Sequence, residues 1–144
     1  MNLHASLLPK YRGAAPIYHA LLNGEKESGI TTFIIESKVD TGVILLQEKC
    51  KLSPETNAGE LHDMLAEMGA KLINKTINQI IDGSINPIKQ NHLLATKAPK
   101  ITKKDQLINW SNTSMQVHNK IRALSPYPGA ITTLNNKKIK IFTS

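Results

Sequence analysis

The apolar residues of this 144-residue chain change their spacing as the chain proceeds, and each spacing predicts a different element. The run Ile30-Thr-Thr-Phe-Ile-Ile35 is β-branched and aromatic, which predicts a strand, and Val43–Cys50 reads as a second. The pair would form a hairpin-like unit, with Glu25–Gly29 as the turn before it and Glu36–Gly42 as the polar turn within it. Leu61, Leu65, Met68 and Leu72 then recur at helical spacing and Ile80 continues the stripe, with Met64 and Met68 filling it. A helix is therefore expected from about Asn57 to Ile81, started by Thr56 or Asn57 and stopped by Gly83. Pro16 opens a shorter helix that Asn23-Gly24 ends.

From Ser84 to about Lys104 the periodicity fades, and prolines and lysines mark a linker or meandering connection. Ser114 to Leu124 is a short helix, broken by Ser125-Pro-Tyr-Pro-Gly129. Ile131–Leu134 and Lys138–Phe142 then flank Asn135-Asn136, a hairpin turn. Trp110 reads as a base-stacking platform or, the commoner role, as a buried anchor.

Composition is that of an ordinary globular protein, with 40% hydrophobic and 20% charged residues. No apolar run is long enough to cross a bilayer. A single cysteine, Cys50, excludes an internal disulfide framework and fits a reducing, cytoplasmic compartment. The net charge of +7 is uneven: residues 91–144 hold nine Lys or Arg against one acid, Asp105. That asymmetry fits a polyanionic partner for the second half, or a solvated lysine-rich surface. His19, His62, His92 and His118 have no partners at metal-ligand spacing, so no metal is expected.

The chemistry concentrates in the first sixteen residues. Asn2 and His4, two apart on an extended backbone, share a face that carries an amide donor beside an imidazole. Asn2-x-His4-x-Ser6-Leu7-Leu8-Pro9, then Arg12-Gly13-Ala14-Ala15-Pro16 and a downstream Asp40-Thr41-Gly42, resemble the core signature of the folate-dependent formyltransferases. Within that family the resemblance is greatest to the members that formylate methionyl-tRNA.

The resemblance implies an α/β fold. The chain would hold the C-terminal half of a Rossmann-like catalytic domain in residues 1–90, a linker in 91–104, and the start of an OB-like β-barrel for tRNA in 105–144. It implies a fragment shortened at both ends, and the strands expected before Asn2 would be needed for tight packing and turnover. It further implies Asn2, His4 and Asp40 as catalytic residues, and Ser6, Leu7, Leu8 and Pro9 as folate contacts. Arg12 would border the substrate cleft. Lys103, Lys104, Lys120 and Arg122, with Lys97 and Lys100, are candidate phosphate contacts.

The implied reaction moves a formyl group from 10-formyltetrahydrofolate, a co-substrate, to the amino group of initiator methionyl-tRNA. Nothing in the sequence indicates an oligomer or a membrane partner. Two alternatives stay open: a sugar-nucleotide formyltransferase, and a non-catalytic RNA-binding remnant.

Overall fold

The structure, a computed structural model, describes all 144 residues. Asn2–His4 (β1), Glu27–Phe33 (β2) and Ile44–Lys51 (β3) form an antiparallel sheet in the order β1-β2-β3. Strand β2 starts earlier than its β-branched run. Glu27, Ser28 and Gly29, expected as part of a turn, pair with Lys51, Cys50 and Lys49. Gly29 permits this, because a Cβ there would lie 2.2 Å from the Glu48 carbonyl oxygen. The strand also ends earlier than expected. The register shifts at Thr32/Phe33, and Ile34 and Ile35 emerge exposed.

The long helix, Ala58–Ile81 (α2), begins where expected. The Asn57 side chain accepts the Glu60 N–H, and the Glu60 carboxylate accepts the Asn57 N–H. Its buried line is Leu61, Leu65, Gly69, Leu72 and Thr76. Met64 and Ile80, expected in the stripe, are 37% and 45% exposed. At 3.6 residues per turn each four-residue step rotates the line by about 40°, so two further steps past Leu72 carry Ile80 off the sheet. Gly69 lets Leu3 of β1 approach: a Cβ there would stand 2.6 Å from the Leu3 methyl. The helix is thereby fitted against the strand that carries His4.

Pro16–Leu22 (α1) and Ser114–Leu124 (α3) complete the packing. Tyr18 and Leu21 of α1, Ile30, Leu61, Leu65, Leu72, and Ile121 and Leu124 of α3 belong to one hydrophobic cluster. The expected linker does not hang free. Arg12 N–H donates to the Thr96 carbonyl (2.8 Å), Ala98 N–H to Arg12 (2.7 Å) and Ala15 N–H to Ala98 (3.1 Å), and Ala98 is fully buried. Residues 96–98 thus lie as a strap along the motif loop.

Ala130–Leu134 (β4) and Lys137–Ile141 (β5) form the final hairpin, with Asn135 and Asn136 both at positive φ, as a type I′ turn requires. Trp110 is no buried anchor: it is 59% exposed and its indole N–H donates to Thr132 Oγ1 at 2.8 Å. No helix is long and apolar enough to cross a membrane.

Candidate active site

His4 ends β1 opposite Thr31 of the central strand, which buries it to 6% exposure. Its Nε2 lies 2.8 Å from the Tyr11 carbonyl oxygen, so Nε2 must carry a proton and donate it. Tyr11 aims that carbonyl from a left-handed backbone, φ +61, held by its own N–H donating to Thr96 Oγ1. The Phe33 ring meets the imidazole edge-on at 6.4 Å. Orientation of His4 thus comes from a backbone carbonyl.

With Nε2 committed, Nδ1 is the nitrogen left to gain or lose a proton. It stands 3.7 Å from Asp40 Oδ2, too long for a direct hydrogen bond. Asp40 sits at φ +52, a conformation Asp tolerates better than most residues. Gly42 closes the turn because a Cβ there would fall 1.7 Å from the Ile34 carbonyl oxygen. Asp40 Oδ2 also accepts the Gly13 N–H at 2.8 Å. Gly13 has φ +127 and passes so close to Ala98 that a Cβ would meet its carbonyl oxygen at 2.5 Å. Two glycines therefore let two turns converge on one carboxylate.

His4 and Ala5 lie at one wall of a cleft of about 660 Å³, with Ala14, Ala15, Pro16 and Ile17 along it and His62 and Tyr127 also lining it. Asn2 is exposed on the edge strand, on the same face as His4. Asn2, His4 and Asp40 are thus brought to one end of the sheet.

The folate-contact candidates are placed differently. Ser6, Leu7 and Pro9 line a separate cavity of about 380 Å³ with Lys10, Tyr11 and Glu25. The Ser6 hydroxyl donates to the Lys10 carbonyl at 2.7 Å. Leu8 offers no wall to a ligand: it is 3% exposed and packed in a cluster with Phe33 and Ile44. Thr31 Oγ1 and Gln47 hold this loop through the Ser6 and Leu8 carbonyls.

Arg12 is not a free cleft arginine. Its Nε donates to Gln90 Oε1 at 3.1 Å, and Nη2 reaches both Gln90 Oε1 and His92 Nδ1. Arg122 is likewise no phosphate contact. It is 7% exposed, and it donates to Asn119 Oδ1 and to the Ser53 and Thr56 carbonyls. Burial pushes its guanidinium pKa down, opposed by the charge of Glu55. Lys97, Lys100, Lys103 and Lys104 are exposed and Lys120 half-buried. No three His, Cys, Asp or Glu side chains gather as a metal site would require. The sequence reading missed His62 and Tyr127 as cleft residues, because they lie 58 and 123 positions from His4 and no local pattern marks them.

Two family models match the chain: formyl transferase over residues 1–77, and the formyl transferase C-terminal domain over 100–144. Among curated relatives, the methionyl-tRNA formyltransferase of Carboxydothermus hydrogenoformans is 48% identical over 142 residues, covering 99% of this chain and 46% of that protein. The methionyl-tRNA formyltransferase of Azobacteroides pseudotrichonymphae is 50% identical over 138 residues, covering 92% of this chain and 43% of that protein. Among solved structures, an N-formyltransferase from Helicobacter canadensis, in complex with folinic acid and dTDP-3-aminofucose, superposes with TM-score 0.83 at 31% identity. That match covers 96% of this chain and 52% of the other. The chain therefore spans about half the length of the relatives it matches. Its opening motifs, its α/β fold and the match across 1–77 agree, and the chain belongs to the formyl transferase family.

Proposed function

We propose that this chain carries the proton-transfer centre of a methionyl-tRNA formyltransferase, which moves a formyl group from 10-formyltetrahydrofolate to the amino group of initiator methionyl-tRNA. The observation that carries this reading is His4, its Nε2–H given to the Tyr11 carbonyl and its Nδ1 turned towards Asp40, at the wall of an apolar cleft. The acceptor amine attacks the formyl carbon and forms a C–N bond, leaving negative charge on the formyl oxygen. Asn2 donates its amide to that oxygen, a contribution of about 3 kcal/mol for such donors. His4 takes the proton that the amine loses, and Asp40 stabilises the resulting imidazolium. The same proton passes to the folate nitrogen as its bond to the formyl carbon breaks. Residues 1–90 serve catalysis, 91–104 connect, and 105–144 open the tRNA-holding domain of a cytoplasmic enzyme.

A sugar-nucleotide acceptor is the second reading, favoured by the Helicobacter canadensis neighbour bound to an amino-sugar nucleotide. The 48% identity to a methionyl-tRNA formyltransferase supports the tRNA reading over it.

The test is formyl transfer by the chain completed with the upstream half of a relative, offered methionyl-tRNA or a dTDP-amino sugar. Transfer to methionyl-tRNA is expected, and His4→Ala should lower kcat by about 10²–10⁴-fold with KM little changed. Near-normal kcat in His4→Ala overturns the assignment, and transfer to the sugar alone overturns the acceptor.

A further inference from the structure

Gln90 comes from a stretch without periodicity, yet it is 7% exposed and every polar atom of its side chain is engaged. Ile44 and Ile88 exchange both backbone hydrogen bonds at 2.8 Å, an antiparallel bridge that sets residue 90 opposite residue 42. From there the carboxamide works in two directions. Its Nε2 donates to the Asp40 carbonyl at 2.9 Å and to the Gly42 carbonyl at 2.7 Å. Its Oε1 accepts the fork of Arg12, the residue before Gly13. Gly13 in turn gives its N–H to Asp40 Oδ2.

Three chain segments therefore close a ring: Arg12 to Gln90, Gln90 to both ends of the Asp40–Gly42 turn, and Asp40 back to Gly13. The turn needs such a hold. Asp40 is a non-glycine residue at φ +52, a conformation that persists only when its surroundings impose it. The Asp40 carboxylate faces His4 Nδ1 at 3.7 Å, so any drift of this turn moves the charge that the imidazolium would meet.

We propose that Gln90 is a positioning residue for the proton-transfer pair: its carboxamide pins the Asp40 turn to the Arg12–Gly13 loop and thereby sets the Asp40–His4 geometry. The inference rests on the formyl-transfer reading, but its geometry can be tested without turnover. The discriminating variant is Gln90→Glu. It keeps an acceptor for Arg12, now as a charge pair, and replaces the donors to the Asp40 and Gly42 carbonyls with a repelling carboxylate. Gln90→Leu removes both directions at similar size.

Amide hydrogen exchange of the 144-residue chain, read by NMR, follows Gly13, whose N–H reports the Asp40 carboxylate. It also follows Arg12 and Ala98, whose N–H groups report the strap. In Gln90→Glu the Gly13 amide should exchange about tenfold faster, while Arg12 and Ala98 stay within about twofold of the unaltered chain. In Gln90→Leu all three should quicken. In the completed enzyme, Gln90→Glu should lower kcat with KM for the acceptor unchanged. An unchanged Gly13 amide in Gln90→Glu overturns the proposal, as does equal loosening of all three, which would mean simple strap packing. The unaltered chain supplies a check that needs no substitution. Its Gln90 side-chain amide protons should be protected from exchange, and free-glutamine exchange rates there overturn the proposal too. Failure of formyl transfer with the Gly13 response intact would discard the reaction and leave the positioning geometry standing.

Discussion

Tyr11 gives its carbonyl to His4 Nε2, and its hydroxyl donates to Glu25 Oε1 at 2.7 Å while accepting from Asn23 Nδ2 at 3.2 Å. Burial is the main reason its phenol pKa is pushed up to about 12, and the Glu25 charge adds to it. Tyr18, in the shared core, is also raised to about 12, by burial and then by Asp105. A raised phenol pKa means the folded state prefers the neutral form. The stability this contributes is complete below the ordinary value of 10 and is lost as pH rises towards 12. Denaturant unfolding should show falling stability across that window and little change below it. Tyr11→Phe should make the alkaline loss shallower, and an unaltered slope would contradict the burial of that hydroxyl. That His4 and Asp40 lie 3.7 Å apart could be anticipated from the sequence, because the two motifs and the residue types mark both positions. The Tyr11 carbonyl could not be, since any residue has one and only the left-handed turn aims it. Leu8 misled for a related reason: an apolar side chain beside a ligand motif looks the same whether it faces a cleft or the core.

At the scale of elements, α2 separates what periodicity reveals from what it hides. Its start was readable because Asn57 and Glu60 stand at capping-box spacing, and the reciprocal bonds are made. Its far end was not, because the sheet below is only three strands wide and the apolar line rotates past its edge. Leu72 is 2% exposed and Ile80 45%. Leu72→Ala should therefore cost about 2–5 kcal/mol, as buried leucines do. Ile80→Ala, at a surface position, should cost about 0.5 kcal/mol or less. Shifts in the denaturation midpoint check both, and equal costs would mean that Ile80 is covered after all. The early start of β2 was hidden by Gly29, which reads as a turn residue but here admits the Glu48 backbone.

For the whole molecule, the strap and the shared core join what the charge pattern had separated. Residues 91–144 carry the basic excess, yet α3 packs on α1, and the side chain of Arg122 reaches the Ser53 and Thr56 carbonyls just ahead of α2. Net charge counts that arginine with the lysines around it, and only burial tells them apart. The distinction gives two opposite outcomes. Replacing Lys103, Lys104 and Lys120 with Gln should leave the denaturation midpoint nearly unchanged. In the completed enzyme the same change should flatten the salt dependence of tRNA binding, by about one unit of slope for each lysine that meets a phosphate. Arg122→Gln should leave that slope alone and cost about 1–3 kcal/mol of stability, because two carbonyls and Asn119 lose their donor. A flattened slope with Arg122→Gln at full stability would mean the guanidinium faces the tRNA after all. An unchanged slope in the triple-lysine variant would leave those lysines as solvated surface.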